Sequence, residues 1–245
     1  MKATNPSGKT CIFDEKYHTF RIEDTNQKLS SVSKVQNHFF PDFDAKKIAS
    51  RCMKKPEYSG MLADEIVKLW GMEGEKSRDE GNCVHEMIKC YVDEKSMVEP
   101  ISMKCVRLFK CAIDMLSDYK KNYGVAGTEV LVFSESLGIA GFIDLLLRRA
   151  NKYLIVDWKT VREIKKDNRW EKGNKPLHKL DSCNLNQYMV QLNLLKKILL
   201  HENYYQGQSF RAEIVHLQES GEGVKIPVRI MDKEINKMLE MWKGV

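Results

Sequence analysis

The sequence predicts an α/β fold: a mixed sheet flanked by helices, with a helical part ahead of it in the chain. Three observations carry this. Before Gly124 apolar residues recur mostly at helical spacing. After it come three β-branched and aromatic runs separated by turns of a few residues. Beyond those come an apolar helical stretch, two further strand-like runs and a last helix, giving the order β-β-β-α-β-β-α. One unit over residues 1–245 is expected, with a mainly helical part over 1–124 and an α/β core over 125–245.

The elements follow in order. Residues 10–22 have the pattern of a short hairpin. Ser31–Phe40 reads as a helix opened by serines and stopped by Pro41, and Phe43–Met53 as another stopped before Pro56. Leu62, Ile66, Leu69 and Trp70 mark a helix that Gly71 and Gly74 should end. Val84, Met87, Ile88 and Tyr91 mark one starting after Gly81. Cys105, Leu108, Phe109, Ala112, Leu116 and Tyr119 mark a long one. Thr128–Ser136, Gly141–Arg148 and Tyr153–Trp158 read as an antiparallel meander, because their connections are too short for a crossover. Leu185, Met189, Leu192, Leu195 and Leu199 give a helix, Phe210–Leu217 and Val224–Val228 two strands, and Asp232–Trp242 a last helix.

A chain of 245 residues with 42% hydrophobic and 30% charged residues buries a sizeable core and is not a disordered chain. No apolar run approaches membrane-spanning length, and the first twenty residues lack the apolar core of a secretory signal. Seven cysteines with no Cys-x-x-Cys pair indicate free thiols in a reducing compartment, hence an intracellular protein. The net charge of +6 is mild, but residues 159–180 carry +5 of it. That stretch is either a solvated loop or a contact for a polyanion.

The chemistry concentrates around Asp157-Trp158-Lys159, at the end of the third strand of the meander. Side chains at i and i+2 of a strand share a face, so Asp157 and Lys159 project together. Asp144 lies on the neighbouring strand among Phe142, Ile143, Leu145, Leu146 and Leu147, where a carboxylate is costly unless something pairs with it. The meander places Asp144 beside Asp157, and Glu129 can join from the first strand. Converging carboxylates with one lysine suit a hard divalent cation and hydrolysis of a phosphodiester.

Gly141-x-x-Asp144 followed by Asp157-x-Lys159, with Glu129 upstream, resembles the PD-(D/E)XK nuclease superfamily. Two further motifs are similar to those of its RecB-like exonuclease branch, in the same order. One is His85 in Gly81-Asn82-Cys83-Val84-His85, with Asn82 where threonine is usual. The other is Gln191 in Gln187-Tyr188-Met189-Val190-Gln191, with Leu195 in place of the usual tyrosine. Ser31-Val32-Ser33 is similar to the Ser/Thr stretch that often opens these domains.

The resemblance implies a restriction-endonuclease-like mixed sheet flanked by helices and a Mg²⁺- or Mn²⁺-dependent DNA exonuclease. It implies Asp144, Asp157, His85 and the Trp158 carbonyl as metal ligands and Lys159 as the residue that positions the water. Glu129 would complete the acidic set and Gln191 would orient the lysine or a phosphate, with Glu135 and Gln187 as rivals for those two roles. Ser33, Arg162, Lys165, Lys166, Arg169, Trp170 and Tyr188 are the expected nucleic-acid contacts. Some relatives carry an iron–sulfur cluster on one upstream cysteine and three near the C-terminus. Here only Cys183 follows residue 111, so no such cluster is expected. The alternative is a nuclease-fold binding or scaffold protein without catalysis.

Overall fold

The computed structural model describes residues 1–206 and 208–242. A mixed sheet of nine strands runs through the molecule, with helices packed on both faces. The predicted fold class is the observed one.

The chain opens with a meander of four short antiparallel strands, β1 (Lys2–Thr4), β2 (Thr10–Asp14), β3 (Thr19–Ile22) and β4 (Lys28–Ser31). Only its middle hairpin is visible in the sequence pattern. β1 and β4 are short and partly exposed, so they carry no readable alternation. Phe13 and Phe20 pack against Phe142 of the central sheet, with ring centroids 5.0 and 5.7 Å away, and tie the meander down.

Ser31 ends β4 and caps α1 (Val32–His38), its hydroxyl accepting from the Lys34 amide. Asp44 caps α2 (Ala45–Cys52) in the same way. α3 (Ala63–Val92) is one helix of 30 residues, where the glycines predict two. Gly71, Gly74 and Gly81 all lie inside it. An interior glycine costs only ~1 kcal/mol relative to alanine, and packing outweighs that: the far half of α3 is held against α4 (Met103–Lys120) through Val84, Met87, Ile88, Cys105 and Leu108.

The core follows the predicted order. β5 (Gly124–Ser134), β6 (Ile139–Arg149) and β7 (Lys152–Lys159) form the antiparallel meander. α5 (Asn184–His201) crosses to β8 (Ser209–Leu217), which lies parallel to β7, and β9 (Gly223–Pro227) and α6 (Asp232–Trp242) complete the fold. α3 and α4 cover one face through Leu145, Leu147, Leu154 and Val156, while α5 and α6 cover the other through Leu146 and Ile155. Among the described residues no helix is long and apolar enough to cross a membrane.

One feature of the sheet creates the site. β5 occupies one edge of β6 along its length, so β4 and β7 share the other edge. β4 pairs there only with Ile139 and Ala140, and β7 only from Leu145 onwards. Residues 141–144 lie in the fork between them. α1 leaves β4 at this fork: a Cβ on Gly141 would stand 2.9 Å from Leu195 and 3.1 Å from Val32, so glycine is required for the close approach.

Candidate functional site

Beyond Val156, β7 has lost β6 as a neighbour but still pairs with β8 through Lys159. Trp158 therefore turns its backbone N–H and C=O toward the vacated edge, and two side chains take them. Asp144 Oδ2 accepts the Trp158 N–H at 2.9 Å. His85 Nε2 lies 3.1 Å from the Trp158 carbonyl, which can only accept, so the imidazole donates there.

That bond fixes the rest of the ring. With the proton on Nε2, a neutral His85 presents its Nδ1 lone pair to Asp144 Oδ2, 3.5 Å away. Two acceptors facing each other repel unless a proton or a metal cation stands between them. Glu129 makes the same demand from the third side: one ligand atom each from His85, Glu129 and Asp144 all lie within 4.8 Å of one another.

Glu129 reaches this position through its backbone. In the β5–β6 register it falls opposite Asp144, and its φ of 45° lies in the left-handed region that a non-glycine residue enters at a cost. Such strain is retained where surrounding structure enforces it, commonly at functional sites. Burial, then the Asp144 charge, raises the Glu129 carboxyl to about 7. Its rival Glu135 opens the β5–β6 turn just past the end of β5, where it pairs with Lys9, away from the cluster.

Asp157 and Lys159 share a face, as their i, i+2 spacing requires, and form an ion pair of 2.7 Å. Both are largely buried. Burial raises the Asp157 carboxyl to about 6 against the pull of Lys159, with Asp144 adding to the rise. Burial works against the Lys159 charge too, but Asp157 and Asp144 outweigh it and hold the ammonium above its ordinary range. The Tyr188 ring from α5 lies 4.6 Å from Lys159 Nζ. Asp157 stands outside the three-residue cluster, committed to Lys159, and the Trp158 carbonyl already accepts from His85.

Gln191 sits one turn beyond Tyr188 and one turn before Leu195, on the stripe of α5 that faces the sheet, and is half-buried. Gln187 lies one turn before Gln191 on the same side of α5 and is also half-buried. Ser33 is exposed in the first turn of α1, beside the fork.

Residues 160–183 form an ordered excursion rather than a solvated loop. Ile164, Leu177 and Leu180 are buried, the Asn174 amide donates to the Phe39 carbonyl, and Lys172 bridges to Asp181. Arg162, Lys165, Lys166 and Arg169 point outward, and among the described residues none has an acidic partner. Trp170 is 92% exposed, so its ring is free to stack.

Two contributions to the site are not readable from the sequence, the contact made by Gly81 of the His85 motif and the anchoring by Asn184. Gly81 brings α3 close to the strand end: a Cβ there would stand 3.1 Å from Thr160 Oγ1, and His85 follows one turn later on the same face. Gly81→Val, with branched methyls at this contact, should push α3 outward and draw His85 off Trp158. We expect the hydrogen-bonded His85 Nε2–H signal to be lost from the NMR spectrum with a change in melting temperature of only a few degrees, measured on the same preparation. Asn184, at the start of α5, is the second. Its Nδ2 donates to the Glu163 carbonyl at 2.9 Å and anchors the basic excursion beside Tyr188.

No protein-family profile matches the chain, and no curated protein does. Among solved structures the chain is similar to the crystal structure of a putative exonuclease from Eubacterium rectale. The two share 13% identity over 90% of this chain and 79% of that one, with a TM-score of 0.40.

Proposed function

We propose that the protein is a divalent-metal-dependent nuclease that hydrolyses phosphodiester bonds in DNA, acting on ends or single strands. The observation that carries this reading is the convergence of three acceptor groups, His85 Nδ1, Glu129 and Asp144, beside a buried lysine ion pair. Such a donor set fits one hard cation, and its nitrogen favours Mn²⁺ over Mg²⁺ relative to an all-oxygen site. When bound, the metal would supply Lewis-acid charge at the scissile phosphate and make a bound water more acidic.

The chain's own groups have separable tasks. His85, Glu129 and Asp144 would hold the ion, and Asp144 also keeps β7 at its distance through the Trp158 amide. Asp157 holds Lys159 in place and adds negative charge from the side. Lys159, kept as an ammonium, cannot act as the base; it orients the water and stabilises charge developing on the phosphate. Tyr188 and Gln191 line the approach from α5. Arg162, Lys165, Lys166 and Arg169 would neutralise backbone phosphates, and Trp170 would stack on a base. Reversing Lys165, Lys166 and Arg169 to Glu should weaken DNA binding and flatten its salt dependence by roughly two units, at ~0.7 per single-strand contact.

The raised carboxyl groups set a pH signature. The metal-free folded chain holds more protons than the unfolded chain between the ordinary glutamate value of 4.5 and about 7. Its stability should therefore rise as pH falls through that window and be lost as pH rises. Glu129→Gln should remove much of this slope, read as the melting difference between the two proteins from about pH 7 to about pH 5. Mn²⁺ affinity should run the other way, weakening below about pH 7 as protons compete for the ligands.

The test of the reading is end-labelled single- and double-stranded DNA incubated with Mg²⁺, with Mn²⁺ and with a chelator. Shortening that needs either metal supports it. DNA binding without cleavage under both metals would leave a scaffold in its place.

A further inference from the structure

The geometry points to an anion site, suited to phosphate groups, at the opposite end of the sheet from the carboxylate cluster. A cavity of about 380 Å³ opens there, lined by Tyr123, Arg149, Lys152, Leu154, Ser209 and Arg211 among others. The register puts these side chains on one face. Arg149 pairs with Lys152 and Lys152 with Ser209 in one row across the strands, while Leu154 pairs with Arg211 in the next. This is the face that α4 covers further along, and Tyr123, just past the end of α4, forms the wall.

Three cations thus converge on one cavity, and no acidic residue lines it. Among the described residues none of the three has a salt-bridge partner. The acids on the neighbouring elements are committed elsewhere: Glu213 to the Tyr119 hydroxyl, and Asp118 to Lys121 and Lys225. Like charges directly opposed across strands destabilise a sheet, and Arg149 opposes Lys152. A bound anion removes that repulsion. Arginines with fixed donor forks and a lysine as point charge suit phosphate oxygens, and the volume falls within the range of small-molecule sites. The cavity lies about 23 Å along β7 from Lys159, at ~3.3 Å per residue, so it is separate from the catalytic end.

The phosphate can belong to a free phosphoester or to the backbone of a nucleic-acid strand reaching past the catalytic end. The experiment compares the full chain with its Arg149→Ser/Lys152→Ser/Arg211→Ser variant in chelator, so that the catalytic end carries no metal. Pyrophosphate should raise the melting temperature of the wild type and bind it at least tenfold more tightly than the variant. Without pyrophosphate, the variant should melt at or above the wild type, because the opposed charges are gone. Then a long and a short oligonucleotide identify the source. Weaker binding of the long one alone assigns the site to a strand backbone, and unchanged binding of both assigns it to a free phosphoester. Either outcome is independent of whether the chain cleaves DNA. No melting shift with pyrophosphate in the wild type, or the same shift in the variant, overturns the site.

Discussion

Lys159→Met should abolish cleavage by at least ~10²–10³-fold while leaving metal and DNA binding near wild type. That range is the cost of losing one preorganised charge-stabilising donor. The substitution keeps an unbranched apolar stem of nearly the same length and removes only the ammonium, which faces Asp157 and the Tyr188 ring. Removing one partner of a buried ion pair commonly costs ~3–5 kcal/mol, because the other is left charged and unpaired. Asp157 has an exit from that cost. Its carboxyl already sits at about 6, and without Lys159 it rises further and takes a proton near neutrality. The variant should therefore fold and melt within several degrees of wild type. The reverse substitution is harsher on the fold, since a buried ammonium left by Asp157→Asn has only Asp144 to lean on. Measured together, melting, Mn²⁺ binding, DNA binding and cleavage separate the chemical role of Lys159 from a structural one. Full cleavage by Lys159→Met would remove it from the mechanism.

Asp144→Asn should lose metal affinity by at least ~10–100-fold, the range seen when even a supporting partner of a ligand is removed, and should lose cleavage with it. Asparagine keeps an oxygen that can accept the Trp158 N–H, so the tie between β6 and the end of β7 should hold. What disappears is the negative charge that faces His85 Nδ1 and Glu129. Relief of that charge should lower the Glu129 carboxyl from about 7, since Asp144 is the charge that adds most to the effect of burial. The metal-free variant should consequently melt at or above wild type at pH 8 or so, where the wild-type cluster repels itself most. Calorimetric titration with Mn²⁺ and a melting series check both halves. Metal affinity equal to wild type would place the ion elsewhere.

Much of this arrangement is legible in the sequence, for local reasons. The meander is visible because β5, β6 and β7 are long, β-branched runs joined by a few turn residues; Asp157 and Lys159 then share a face by strand spacing, and Asp144 stands out as a carboxylate in an apolar run on the neighbouring strand. The continuity of α3 is not visible. Glycines at 71 and 74 look like stops, and only packing against α2 and α4 overrides them. The fork is invisible too, because it depends on where β4 joins β6, through Ser30 opposite Ile139 and Ser31 opposite Ala140, more than a hundred positions apart in the chain. His85 carries a motif, but its task depends on Gly81 meeting Thr160, a contact between elements far apart in the chain. The left-handed backbone of Glu129 has no sequence signal, since nothing in Gly127-Thr128-Glu129-Val130 demands it. The basic excursion is legible as charge but not as structure, because its order comes from three buried apolar residues spaced without period.

The most direct test is crystallographic. Crystals soaked in Mn²⁺ and measured at the manganese absorption edge locate the ion by its anomalous signal. A peak bounded by His85 Nδ1, Glu129 and Asp144, within ~2.0–2.3 Å of one atom of each, is the predicted result. A metal bound elsewhere, with His85 Nδ1 still facing Asp144 across an empty gap at saturating Mn²⁺, would contradict the account.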